Sequence, residues 1–450
     1  MTIRASRTQF VWTPIVGWVL LSCAAPAVQA QVETLSPARQ TLDQQTPQVD
    51  LPPGASASPE GVIERGNDLG TRVGAFTLFP VLDLNLGYDD NVFATPAPTT
   101  ASAVAVIRPS VELRSEWLNH SLRLLASGGF GYYASAPTQN FQNYLVQVDG
   151  RLDIRTDFWL SGVIAVRRNT EALGTPNVSF AQAPTVVDSV PIELTLYQKF
   201  NRFFYTLGVA ATRYWYYDYS TITSLGLPAT SRDRNEYEER LRLGYEVVAD
   251  RLSFFIAPSI NQRVYVDTVN AAGQQRDSTG WNVAVGATLY FTPKTSLEGS
   301  IGATSQTYTA TGLTTSATTF SLSGTWNGYE PLMLRPVLMR SINESALSNY
   351  QNYVSTVAGI DFTYDIHYPW KAVGGLSYNI ADYTPVPGVA GVNPRTDNFF
   401  KGSIGLLYEV RPQFSIGPLY EYTQGSSTDV AAGGPQFSRN FFSIRLVARR

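Results

Sequence analysis

The chain contains two histidines, His120 and His367, and a single cysteine, Cys23. A hydrolytic site needs a base within hydrogen-bond reach of its nucleophile. Both histidines fall at short turns on one end of the molecule, where they read as interfacial turn residues. Asp89-Asp90-Asn91 offers three oxygen donors of the kind that bind calcium. Asp and Asn also start loops by bonding their own backbone, and that reading is preferred here. Gly128-Gly129-Phe130-Gly131 is followed by no helical pattern, so it is no phosphate cradle; it suits a strand that curves or admits a close neighbour. No metal, haem, flavin or nucleotide signature appears. The expectation is a protein that is not an enzyme and has no cofactor.

What remains for chemistry is charge at alternate positions: Arg108, Glu112 and Arg114; Asp149, Arg151, Asp153 and Arg155; Glu236, Glu238, Arg240 and Arg242; and, further on, Lys401 and Arg445. These are the candidate pore-lining residues. Opposed rows of acid and base set up a transverse field that orients water and polar solutes, whereas a ring of one sign selects simple ions. Arginine dominates because its planar fork matches carboxylate and hydroxyl pairs and stacks on rings. Such a lining suits hydrophilic, sugar-like cargo, acidic sugars included. The alternative is that the charges pair across neighbouring strands and only hold the wall.

The elements that position them have two different faces. In Tyr144, Val146, Val148, Gly150, Leu152 and Ile154 every other residue is apolar or Gly, while Gln147, Asp149, Arg151, Asp153 and Arg155 fill the gaps. From Asn235, Tyr237, Leu241, Leu243, Tyr245 and Val247 oppose Glu236, Glu238, Arg240, Arg242 and Glu246. This is the period-2 signal of strands. Eighteen such segments begin near residues 75, 104, 120, 143, 158, 187, 203, 235, 251, 279, 295, 316, 332, 352, 369, 398, 413 and 437. At about 12–15 residues each they match tilted strands crossing a bilayer. Tight connections such as Asn201-Arg202 and Arg411-Pro412 alternate with longer ones rich in Ala, Thr, Gly, Pro and Ser, giving eight short turns and nine long loops. That layout belongs to an antiparallel outer-membrane β-barrel of about eighteen strands, sixteen being the alternative, with both termini in the periplasm. A soluble sandwich would leave edges that only closure removes. Rings at strand ends, among them Trp117, Tyr132, Trp159, Tyr216, Trp281, Trp326 and Trp370, read as interfacial girdles.

The rest of the chain fits that address. Residues 1–30 read as a signal peptide, with Arg4 and Arg7 before an apolar core and Val28-Gln29-Ala30 at the cleavage site. The rival is lipidation at Cys23 within Leu20-Leu21-Ser22-Cys23. Residues 31–72, rich in Gln, Pro, Ala and Ser, read as a flexible periplasmic tether, and 73–450 as the barrel. Charged residues are 15% against an ordinary share of about 25%. With a net charge of -3 there is no basic surface for nucleic acid.

Three stretches resemble the β-barrel porin type 2 family of the Gram-negative outer membrane. They are Asn85-Leu86-Gly87-Tyr88-Asp89-Asp90-Asn91-Val92-Phe93, the run Arg232-Asp233-Arg234-Asn235-Glu236-Tyr237-Glu238 into Leu243-Gly244-Tyr245-Glu246, and Arg276-Asp277-Ser278-Thr279-Gly280-Trp281 leading to Ser296-Leu297-Glu298-Gly299. Members are often encoded with polysaccharide export machinery. The resemblance therefore implies a conduit or accessory barrel in exopolysaccharide export, with polysaccharide and a periplasmic export partner besides outer-membrane lipid. The alternatives are a general or sugar-selective diffusion porin and a structural or surface-binding barrel. One departure is the C-terminus, which ends Val447-Ala448-Arg449-Arg450 instead of on an aromatic residue.

Overall fold

The alternation seen in the sequence folds as nineteen antiparallel strands in one sheet. The structure, a computed structural model, describes residues 70–176, 184–217, 232–266, 275–292, 294–329, 331–431 and 433–450. The signal peptide, Cys23 and the tether up to residue 69 lie outside the described residues, as do parts of three long loops. A three-residue strand, β1 (Thr71–Val73), pairs with the start of β2, which places Thr71 and Arg72 in the sheet instead of the tether.

The wall itself is β2 (Phe76–Asp89), β3 (Ser102–Ser115), β4 (Ser121–Tyr133), β5 (Phe141–Arg155), β6 (Phe158–Glu171), β7 (Thr185–Phe200), β8 (Phe203–Tyr217), β9 (Arg234–Val248) and β10 (Leu252–Tyr265). It continues with β11 (Ser278–Thr292), β12 (Thr295–Tyr308), β13 (Thr314–Tyr329), β14 (Leu332–Glu344), β15 (Tyr350–His367), β16 (Trp370–Pro385), β17 (Arg395–Arg411), β18 (Phe414–Ser427) and β19 (Phe437–Arg449). Each strand pairs with its chain neighbour, and β19 pairs with β2 from Phe441↔Asp89 to Arg449↔Val81, closing eighteen strands into a barrel. Every strand starts within three residues of its expected position. Closure lets neighbouring strands satisfy one another's hydrogen-bonding groups without a second layer along most of the wall.

The outer face is apolar, with Leu82, Leu86, Ile107, Val111, Val146, Ile164, Leu194 and Ile301 exposed. Trp117, Tyr132, Trp281, Trp326 and Trp370 stand outward as expected, but Trp159 and Tyr216 are buried in the interior, because their positions share the parity of the inward charges. A few outward positions carry charge, such as Arg168 of β6, paired with Asp188 of β7 at 2.6 Å. Glu239 faces out on β9, between Val209 of β8 and Ile260 of β10.

The tight turns are held by residues that tolerate positive φ: Asn201 at 56°, Asp250 at 55° and His120 at 64°. His120 donates its backbone N–H to Asp153 Oδ2 and accepts from the Asp153 N–H at Nδ1, both at 3.0 Å. Its ring is thereby committed to a turn. The contrast between the two ends is less sharp than the sequence indicates, since the connections 309–313 and 345–349 are no longer than the turn 116–120. Their sequences read as long loops because their polar, small residues carry no strand pattern.

Candidate functional site: the charged lumen and its inward hairpin

Inward positions on β9 recur every second residue, so Arg234, Glu236, Glu238, Arg240 and Arg242 form one row on the lumen wall. Each arginine meets an acid. Arg234 Nε donates to Glu236 Oε1 at 2.7 Å, and Arg240 lies 3.0 Å from Glu193 of β7. Arg242 reaches over two strands to hold both oxygens of Glu298 at 2.9 and 2.8 Å, and its guanidinium lies 3.6 Å above the Phe255 ring. That packing offsets the rotamer freedom that a long side chain loses when it is held. Gly244 on the same row leaves room for the Phe204 ring, which a Cβ would meet at 2.1 Å.

These residues line a cavity of about 430 Å³. Its ionic lining is balanced: Arg232, Arg234, Arg240, Arg242, Arg263 and Arg340 against Glu171, Glu193, Glu236, Glu238, Glu298 and Glu344. Among the expected lining residues, Glu236, Glu238, Arg240 and Arg242 stand here. The others do not. Arg108 and Arg445 both bind Asp83 Oδ2, at 3.0 and 2.6 Å, as a buried triad beside the β2–β19 seam. Glu112 holds Arg114 and Arg123, and Arg123 passes on to Asp149 at 3.2 Å. Arg151 pairs with Asp153 at 2.7 Å and covers Trp159. Lys401 pairs with Glu421 at 3.1 Å, and Arg155 is exposed at the end of β5. This ladder is the wall-holding arrangement that the sequence left as its alternative.

The opposite side of the cavity is made by an element that alternation misassigns. By parity Ile342 and Glu344 of β14 and Asn352 and Val354 of β15 face outward with Leu338 and Ile360, yet all four are buried. Glu344 accepts from Arg263 at 2.6 Å, from the Tyr265 hydroxyl at 2.8 Å and from the Tyr308 hydroxyl at 3.2 Å. Arg263 and Tyr265 are on β10, four strands from β14, or about 19 Å at the usual strand spacing. Contact is possible only because the end of the β14–β15 hairpin leaves the wall and lies across the inner faces of β10–β13. Arg276, fully buried, donates to the Ser345 carbonyl at 2.5 Å and clamps the tip. Leu347, Tyr350 and Tyr353 then pack on Ala381 and Tyr383. Glu344, Arg276, Tyr265 and Tyr308 were absent from the sequence candidates. The readable signal was a lone glutamate at a lipid-facing position.

Two further segments narrow the same mouth. Val92 and Phe93 of the β2–β3 loop pack inward against Val104, Val106, Tyr133, Phe141 and Phe441. Gly131 accommodates the Phe141 ring, as the glycine run required. Asp89-Asp90-Asn91 does not gather a metal site: Asn91 N donates to Asp89 Oδ1, and Asp90 accepts from Asn440 N at 2.7 Å and Nδ2 at 2.6 Å. Among the described residues no three His, Cys, Asp or Glu side chains are grouped to hold a metal ion. The run clasps the seam instead. Arg439 donates to the carbonyls of Asn91 and Leu173, which brings the start of the β6–β7 loop across the mouth to β19. At the same end Arg232 holds both Glu171 oxygens at 2.7 and 2.8 Å. Burial alone would lower the Arg232 guanidinium, but Glu171 outweighs it and keeps it above its ordinary value.

Residues 66–450 match the family described as Putative beta-barrel porin 2. The chain belongs to that family. It is an outer-membrane β-barrel of porin type, and the closed sheet with its charged interior is the physical form of that membership. Among solved structures, the siderophore receptor PirA from Pseudomonas aeruginosa is 9% identical over 83% of this chain and 80% of its own, with a TM-score of 0.40. OccAB4 from Acinetobacter baumannii is 10% identical over 86% and 100%, at 0.43, and opdK from Pseudomonas aeruginosa is 9% identical over 83% and 98%, at 0.42. Likenesses this weak carry no inference about function. No protein of curated function matches the chain in sequence.

Proposed function

We propose that this porin 2 barrel passes small hydrophilic solutes of sugar size, neutral or zwitterionic, through the cavity beside β9. The balanced lining carries the reading: six arginines and six glutamates line the cavity, several of them paired at 2.6–3.0 Å, so the passage is densely polar with little net charge. A solute with many hydroxyls replaces its water there with arginine and carboxylate partners, while a simple ion gains nothing from the absence of a single-sign ring. A volume of about 430 Å³ fits one or two sugar rings. The periplasmic direction of both termini belongs to this reading, because the tighter connections lie at the end where the chain starts and finishes.

Purified protein in a planar bilayer tests it. A steady conductance with a reversal potential near zero in a salt gradient, reduced by added neutral oligosaccharide, is the expected result. A strongly cation- or anion-selective current would overturn it. Polysaccharide export, which the family resemblance implies, needs a bore wide enough for a polymer and so needs the inward hairpin to move. Loss of surface polysaccharide on gene deletion, with small-solute uptake intact, would favour that role over diffusion.

A further inference from the structure

The barrel wall is incomplete at one place. β13 and β14 pair from Tyr329↔Leu332 only as far as Ser321↔Met339. Continued without a shift, that register would set Phe320 against Arg340, Ala317 against Asn343 and Ser316 against Glu344, and none of these pairs forms. The other edges of the same segments are fully zipped, Ser305↔Ser316 to β12 and Arg340↔Thr356 through Glu344↔Asn352 to β15. The two strands have therefore parted as intact units and have not frayed.

They overlap instead. Asn352 Nδ2 donates to Thr315 Oγ1 at 2.8 Å, and Thr319 Oγ1 donates to the Arg340 carbonyl at 3.0 Å. Thr315 and Thr319 face the lumen, so the hairpin lies inside β13 as one turn of a scroll lies inside the next. This leaves the β13 edge without a strand partner before Ser321, which is penalised wherever it meets hydrocarbon because no water is there to bond it. The hairpin offers the complementary edge, in register, a few ångströms away.

We propose that the β14–β15 hairpin is a gate with two positions. It is tucked into the lumen, as seen, or zipped into the wall against β13. The inference rests on the channel reading above and supplies its regulation. Tucked, the hairpin gains the Glu344 contacts to Arg263, Tyr265 and Tyr308 and the Arg276 clamp, and narrows the passage. Zipped, it forfeits these, completes the wall and clears the bore. Each position satisfies groups that the other leaves unpaired, which is the requirement for a bistable element.

Two disulfide staples test it in full-length protein with Cys23→Ser, the only native cysteine removed. T315C/N352C joins residues that touch in the tucked position, and A317C/N343C joins residues that face each other only when zipped. Single-channel recording in a planar bilayer should show T315C/N352C held at the lowest conductance under oxidation and released by dithiothreitol. A317C/N343C should crosslink and hold a level several-fold higher. E344Q, which keeps side-chain size, should lengthen the high-conductance periods. If A317C/N343C never crosslinks while T315C/N352C does, or if both staples conduct alike, the gate is wrong. A cysteine-free chain that passes no current would instead remove the channel reading, and crosslinking at A317C/N343C would still report the movement.

Discussion

At the scale of single residues, the lumen charges divide by what removal of a partner would leave behind. Asp83 pairs with both Arg108 and Arg445, and all three are buried. Asp83→Ala strands two guanidiniums in a region they cannot leave, and should destabilise the refolded barrel by about 3–5 kcal/mol, read as a lowered urea midpoint. Glu298 differs because it lines the passage and holds Arg242 from across two strands. Glu298→Ala should cost less stability and tip the passage towards anions, seen as a shift of the reversal potential in a salt gradient. Glu239 is the converse case, a carboxylate facing lipid between Val209 and Ile260. Glu239→Leu should stabilise the barrel in bilayers by about 1–2 kcal/mol, since acids on a lipid face cost somewhat less than the bases do. Unchanged stability would mean that something other than lipid covers this face.

At the scale of elements, the strand positions and faces were legible because side-chain direction alternates with every residue and needs no tertiary information. Arg240 and Arg242 could be placed inward from the β9 pattern alone. The ladder from Arg108 to Asp153 could be placed too, but whether it lined a passage or braced a wall depended on cross-strand partners that sequence does not pair. The Asp89-Asp90-Asn91 run had two chemical readings, and only the register at Phe441↔Asp89 put Asn440 beside Asp90. Asp90→Ala removes two bonds from the strand pair that closes the barrel, and should cost about 2 kcal/mol, measured by the same urea transition. An unaffected midpoint would show that the remaining seam pairs suffice.

At the scale of the whole molecule, a chain with 15% charged residues and no spanning helix among its described residues still has to reach a membrane, and a closed sheet is the way left to it. The purified protein should remain in solution only with detergent, and precipitate when detergent is dialysed away. Alternation and turn chemistry by themselves determined the strand number, the antiparallel order and the sign of each face, because those follow from local stereochemistry and from the thickness of lipid. Only the folded chain decided where the lumen narrows. Glu344 lies on the outward parity of β14, yet it ends inside against Arg263, Tyr265 and Tyr308. The reason is that a strand's departure from the wall is decided by competition between two pairings far apart in the chain, and a period of two is blind to both.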